Sequence, residues 1–78
     1  MTHARIDINP QVMFGKPVIR GTRITVELIL RKLAGGKSID DILRDHPRLM
    51  IEDVYAAAAF AADYLAQEEI VFAEGQRL

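Results

Sequence analysis

The stretch that decides the fold is residues 51–66, IEDVYAAAAFAADYLA. Alanine is the best helix former, and Glu52 and Asp53 fall where a first helical turn favours carboxylates. Apolar residues recur at helical spacing on two faces. One face holds Val54, Ala57, Ala58, Ala61 and Leu65, and the other holds Ala56, Phe60 and Tyr64. The pattern predicts a helix that is to be buried on nearly all sides.

Two shorter helices are predicted before it. Thr25 is a good N-cap for a helix with apolar residues at helical spacing, and Gly35-Gly36 would end that helix. Ser38 would cap a second helix, which Pro47 ends. The chain is therefore predicted to be mainly α, with a three-helix, helix-turn-helix domain over residues 25–66.

Residues 1–24 are predicted to form a short β-ribbon arm. Arg5 to Ile8 alternates polar and apolar residues, and Val18 to Arg20 reads as a second extended segment. Gly15 and Gly21 permit the positive φ angles that the turns around them require. A lone two-stranded ribbon is unstable in water, so it must pack on the helices or pair with another chain.

A chain of 78 residues forms a single domain with a modest core. It has no cysteine, which excludes disulfides and thiolate metal sites and leaves association as a route to stability. We therefore expect a homodimer whose interface includes Ala56, Phe60 and Tyr64. The alternative is a monomer in which several helix alanines are exposed at little cost.

The net charge of −1 hides an asymmetry, because residues 1–37 carry +5 and residues 38–78 carry −6. A polyanion would meet the first half, unless the asymmetry is only an unevenly solvated surface. The residues predicted to bind DNA are Lys16, Arg20, Arg23, Arg31, Lys32, Lys37 and Arg48. Arg23 has a second interpretation, as a structural residue that bridges to Glu27. The candidate base readers at the start of the third helix are Arg48, Met50, Glu52, Asp53 and Tyr55. Glu52 and Asp53 would repel phosphates, although a carboxylate can accept a hydrogen bond from cytosine.

Nothing in the sequence indicates catalysis, so no enzymatic activity and no metal or other cofactor is expected. His3 and His46 lack metal-ligand spacing, and Phe14-Gly15-Lys16-Pro17 lacks the earlier glycine and the Ser/Thr of a phosphate-binding loop. The start of the chain is not a signal peptide, and the apolar run from Val54 to Ala66 is too short to span a bilayer. A cytoplasmic protein is expected, without contact with a membrane.

Residues 67–78 are predicted to be a partner-binding tail. Ile70, Val71 and Phe72 form an apolar clump among acidic residues, and exposed clumps of this kind usually mark a partner. The alternative is an extension of the third helix that folds back on its own domain.

Several strings of the sequence resemble one prokaryotic family. They are Asn9-Pro10, residues 15–24 (GKPVIRGTRI), residues 36–43 (GKSIDDIL), Pro47-Arg48-Leu49 and Glu52-Asp53-Val54. Over roughly Ile6 to Leu65 the chain is similar to the family known as DUF433, whose members are often labelled VapB-type antitoxins. One departure is Met50, since the family usually has Thr or Ser just before the third helix.

The resemblance implies a homeodomain-like fold and a dimeric antitoxin of a type II toxin-antitoxin system. Such a protein neutralises a PIN-like ribonuclease toxin by contact and represses its own operon by binding operator DNA. On this hypothesis Ile70, Val71 and Phe72 anchor the toxin, and Arg77 pairs with a carboxylate of its active site. The alternatives are a stand-alone helix-turn-helix regulator and an adaptor that binds only proteins.

Overall fold

The computed structural model describes residues 3–67 and the backbone of residues 71–72 and 76–77. Two short strands, β1 (Ile6–Asp7) and β2 (Val18–Ile19), precede three helices. The helices are α1 (Val26–Ala34), α2 (Ile39–Asp45) and α3 (Ile51–Gln67). The predicted mainly helical domain with a short N-terminal ribbon is confirmed, and α3 runs one residue beyond its predicted end.

The ribbon is antiparallel, with Ile6 opposite Ile19 and Asp7 opposite Val18. Both strands are shorter than predicted, because Arg5, Ile8 and Arg20 lie outside them. A 3₁₀ turn, Met13–Gly15, lies between the strands. Ile6 and Ile19 are buried against the helices, so this ribbon is stabilised by packing within its own chain.

The helix ends follow local chemistry. The Thr25 hydroxyl accepts a hydrogen bond from the Leu28 amide, and the Ser38 hydroxyl accepts one from the Asp41 amide. At the end of α1, the Gly36 and Lys37 amides donate to the carbonyls of Leu33 and Lys32, at 3.0 Å each. This is a Schellman motif, and Gly36 supplies the positive φ (93°) that it needs.

α3 packs against α1, α2 and β1. Ile29, Ile42, Val54 and Ala57 are almost completely buried at the centre of the core. The buried face of α3 differs from the predicted one, because Ala58 and Leu65 are exposed whereas Ala56 and Phe60 pack on the core. Because alanines occur on every face of α3, the periodicity of apolar residues alone cannot show which face is buried.

Candidate nucleic-acid interface

The turn between β2 and α1 projects two arginines. The Thr22 amide and hydroxyl both donate to the Ile19 carbonyl, at 3.0 and 2.8 Å, and the Ile24 amide donates to the Thr22 hydroxyl at 3.0 Å. Gly21 adopts a φ of 77°, which favours glycine at this point. The turn is fixed by these bonds, and Arg20 and Arg23 extend from it into solvent.

Arg48 joins the same turn from the loop between α2 and α3. Its Nη2 donates to the Gly21 carbonyl at 2.8 Å. Arg23 and Arg48 both line a surface depression of about 500 Å³, which Asp7 and Asn9 line as well. We call Arg20, Arg23 and Arg48 the arginine patch.

The charges within the patch are unequal. Arg20 pairs with Asp7 at 3.0 Å, so its charge is partly balanced. Arg48 uses one N–H on a neutral carbonyl and keeps its full charge. Among the described residues, no carboxylate forms an ion pair with Arg23 or Arg48. Arg23 does not bridge to Glu27, which bonds to Lys16 and Arg31 instead.

The carboxylate of Asp53 does not oppose a polyanion in the way that the sequence suggests. Asp53 is only 6% exposed, and its Oδ1 accepts a hydrogen bond from Arg5 Nη1 at 2.9 Å. Its Oδ2 accepts one from the Met50 amide at 2.8 Å. This second bond is the reverse half of a capping box, so Asp53 secures the start of α3 although Met50 has no hydroxyl.

The surface at the start of α3 is therefore less acidic than predicted. Met50, Glu52 and Tyr55 are exposed there, while Asp53 is buried and neutralised by Arg5. Arg5, Arg20 and Arg48 line a second depression beside Met50. Glu52 is the remaining acidic side chain on this surface among the described residues.

The other predicted DNA-binding residues pair with carboxylates. Lys16 and Arg31 both bond to Glu27 at 3.0 Å, and these two hydrogen bonds, led by that from Lys16, lower the pKa of Glu27. Lys32 and Lys37 share Asp45, at 3.1 and 3.6 Å. The hydrogen bond from Lys32 is the main cause of the lowered pKa of Asp45. Four of the predicted DNA-binding cations thus have a carboxylate partner, and each of the two carboxylates is shared by two cations.

The three residues predicted for the dimer interface have different environments. Ala56 and Phe60 are half-buried against their own core, and Tyr64 is exposed. Phe60 stacks on Tyr64 with a centroid separation of 6.3 Å and meets the His3 ring edge-to-face at 5.2 Å. Only Tyr64 of the three is largely free to meet a partner.

An open apolar groove lies beside Tyr64, between α1 and α3. Its volume is about 580 Å³. Its walls include Val26, Leu30 and Ala34 of α1 and Phe60, Ala61, Tyr64 and Leu65 of α3. We call it the α1/α3 groove. Of these wall residues, Tyr64 and Leu65 are exposed, whereas Val26 is buried in the core.

The predicted tail lies largely outside the described residues. Val71–Phe72 and Gln76–Arg77 pair as two antiparallel strands, β3 and β4, with Val71 opposite Arg77. Ile70 and the side chains of Val71, Phe72 and Arg77 lie outside the described part of the chain, so their expected contacts with a toxin stay predictions.

His3 and His46 lie where a structural role is expected of them. His3 Nε2 lies 2.9 Å from Asp63 Oδ2 on α3, and His46 follows the last residue of α2. In the part of the chain that the structure describes, no three His, Asp or Glu side chains are grouped to hold a metal ion. Within the same part, no helix has the length and apolar character needed to cross a membrane.

Sequence reasoning missed two features of this surface. Arg5 was not predicted to take part, although it neutralises Asp53. The Gly21 carbonyl that holds Arg48 was also missed, since the two residues are 27 positions apart. The local signal for this surface was the turn Gly21-Thr22-Arg23, because glycine and threonine there indicate a defined backbone conformation.

Comparison with known proteins shows which family this chain is similar to. Residues 6–61 match the family described as "Protein of unknown function (DUF433)". A crystal structure of a DUF433 member from Anabaena variabilis ATCC 29413 is 32% identical, with a TM-score of 0.75 over 81% of this chain and 62% of that one. Uncharacterized protein y4eO of Sinorhizobium fredii is 34% identical over 53 residues, which are 68% of this chain. The match spans only 24% of that relative.

Proposed function

Since the chain belongs to the DUF433 family of unknown function, we propose a specific role for it: a cytoplasmic, dimeric, VapB-type antitoxin that binds operator DNA and a PIN-like ribonuclease toxin. The observation that carries the DNA-binding part is the arginine patch. Arg23 and Arg48 converge on one fixed turn without a carboxylate partner among the described residues. Guanidinium groups in this arrangement suit the phosphates of a nucleic-acid backbone.

The patch supplies position and affinity more than sequence specificity. Arginine contacts to phosphates carry no base information, whereas side chains at the start of a recognition helix reach base edges. Met50, Ile51, Glu52 and Tyr55 are exposed at that end of α3. Met50 and Tyr55 offer apolar contacts, and the Glu52 carboxylate can accept a hydrogen bond from a cytosine amino group.

The test of this part is the salt dependence of binding to duplex DNA from upstream of the chain's own reading frame. We expect log K to fall linearly with log salt concentration. Arg23→Ala or Arg48→Ala should weaken binding and flatten the slope by about 0.9 for each phosphate that the variant no longer neutralises. Fluorescence anisotropy at salt concentrations from about 50 to about 200 mM measures both the affinity and the slope, because phosphate contacts are screened over this range.

Arg44→Ala is the matched control. Arg44 is also an exposed arginine, but it lies on α2 and pairs with Asp41 at 3.0 Å. It should leave affinity and slope unchanged. Equal losses in the Arg44 and Arg23 variants would refute the arginine patch as the DNA-contacting surface. Absence of salt-dependent affinity for duplex DNA would refute the DNA-binding assignment and favour a protein-only adaptor.

The toxin-binding part rests on the tail. Ile70, Val71 and Phe72 would anchor it, and Arg77 would pair with a carboxylate of the toxin's metal-binding centre. Deleting residues 68–78 should abolish neutralisation of the proposed PIN-like ribonuclease toxin, while the truncated chain keeps its affinity for DNA. A truncated chain that still neutralises the toxin would refute this part alone.

A stand-alone helix-turn-helix regulator is a second candidate. The observation that favours it is the pairing of the exposed Arg5 with the buried Asp53, which offsets a negative charge at the start of α3. This candidate predicts tight, sequence-specific DNA binding without any toxin. Competition with unrelated duplex DNA separates the two, since a regulator that acts alone should discriminate by at least about 10³.

A further inference from the structure

The 3₁₀ turn between β1 and β2 holds a large apolar side chain in solvent. Phe14 is 95% exposed. Its φ is 59° and that of Met13 is 49°, so both residues lie in the left-handed region that favours glycine. Backbone strain of this kind occurs preferentially at binding and catalytic sites, where it places a side chain for a contact. The function proposed above does not use this ring.

Hydrogen bonds fix the turn, so the exposure of the ring is a property of a defined structure. The Val12 amide donates to the Asn9 carbonyl at 2.9 Å. The Gly15 and Lys16 amides donate to the carbonyls of Val12 and Met13, at 3.1 Å each. The ring therefore projects from a backbone that is held on both sides of it.

The turn borders the arginine patch. Val12 lines the depression that Arg23 and Arg48 also line. Phe14 follows Val12 by two residues, so their Cα atoms are at most about 7 Å apart. We propose that Phe14 inserts at a base step of the duplex DNA whose phosphates the arginine patch binds, an inference that rests on the proposed function.

The charge around the turn favours a nucleic acid as the partner of this ring. Asp7 also lines the depression, but it is paired with Arg20 at 3.0 Å, so Arg23 and Arg48 make the depression positive. In a duplex, anionic phosphates lie next to apolar base stacks. Proteins that insert phenylalanine between base pairs combine this wedge with basic side chains, and the wedge kinks the duplex by about 20–90°.

Salt-dependent binding separates the wedge from the arginine patch. We expect Phe14→Ala to weaken binding to the upstream duplex at least about 5-fold, as loss of one base–aromatic contact does. The dependence on salt should stay unchanged, because no phosphate contact is lost. Leu28→Ala is the matched control and should bind as the wild type does, since Leu28 is also an exposed apolar residue but lies on α1, outside the depression. Circular dichroism should show the same helix content in all three proteins.

Phe14→Trp gives a direct readout, because the chain has no other tryptophan. Stacking against bases should quench its fluorescence as the upstream duplex is added. Energy transfer between dyes at the two ends of the duplex should report a bend of about 20–90° with the wild type, and Phe14→Ala should remove that bend.

The outcomes distinguish this inference from the proposed function. Wild-type affinity of Phe14→Ala, or tryptophan emission that DNA leaves unchanged, would overturn the inference and leave the proposed function intact. Emission that shifts to shorter wavelength as the chain alone is concentrated would show that a protein surface covers the ring, and would overturn it too. A wild-type chain without salt-dependent affinity for the duplex would overturn the proposed function and this inference together.

Discussion

Replacing Asp53 with alanine tests whether the N-terminal arm and the start of α3 are held by one carboxylate. The change removes the acceptor of the Met50 amide at 2.8 Å and of Arg5 Nη1 at 2.9 Å. A capping bond contributes about 1 kcal/mol. The bond to Arg5 contributes about another 1 kcal/mol, since that guanidinium is partly exposed. We expect the free energy of unfolding to fall by about 2 kcal/mol, or the Tm by about 8–16 °C.

Urea unfolding followed by circular dichroism measures this change in stability. Glu52→Ala is the control, since Glu52 is also acidic and in the first turn of α3 but is exposed. Removing its carboxylate from the positive end of the helix dipole should cost about 0.5 kcal/mol. A double-mutant cycle between Arg5→Gln and Asp53→Ala should give a coupling of about 1 kcal/mol. Equal costs for the two single acidic substitutions, together with no coupling, would refute the reasoning.

Three further changes probe other parts of the fold. Acidification should lower the free energy of unfolding, because the pKa values of Glu27 and Asp45 are lowered in the folded state. The stability that these two carboxylates contribute is complete above their ordinary pKa values of 4.5 and 3.8, and it is lost as the pH falls through the folded-state values. Urea midpoints at successive pH values would show this loss, and a midpoint that rises on acidification would contradict it. Gly36→Ala should destabilise the chain by about 1–2 kcal/mol because of its φ of 93°, whereas Gly35→Ala, at a φ of −80°, should cost much less in the same assay. Ile42→Ala should cost about 2–5 kcal/mol in thermal unfolding, since this side chain is completely buried, and a decrease below 1 kcal/mol would show that the core is packed differently.

The three helices and their caps were predictable because their signals are local. Thr25 and Ser38 each bond to an amide three residues later, and Gly36 ends α1 through bonds to the preceding turn. A short sequence window contains both partners of each interaction. The ribbon was also predictable from its turn residues, although alternation of polarity overstated the length of its strands.

The candidate site was predictable only in part. Charge composition selected the basic half of the chain, but it could not show that four of the selected cations pair with Glu27 and Asp45. Nor could it show that Arg5 neutralises Asp53, since those residues are 48 positions apart. Contacts of this range depend on how the helices pack, and that information is absent from local periodicity.

The distance along the chain between Arg5 and Asp53 has a consequence for biosynthesis. The arm is synthesised before its carboxylate partner, which is added 48 residues later. His3 must wait still longer for Asp63. The nascent arm therefore has no completed surface to rest on until α3 has been synthesised, and the domain should acquire its structure in one cooperative step after α3 has emerged rather than segment by segment.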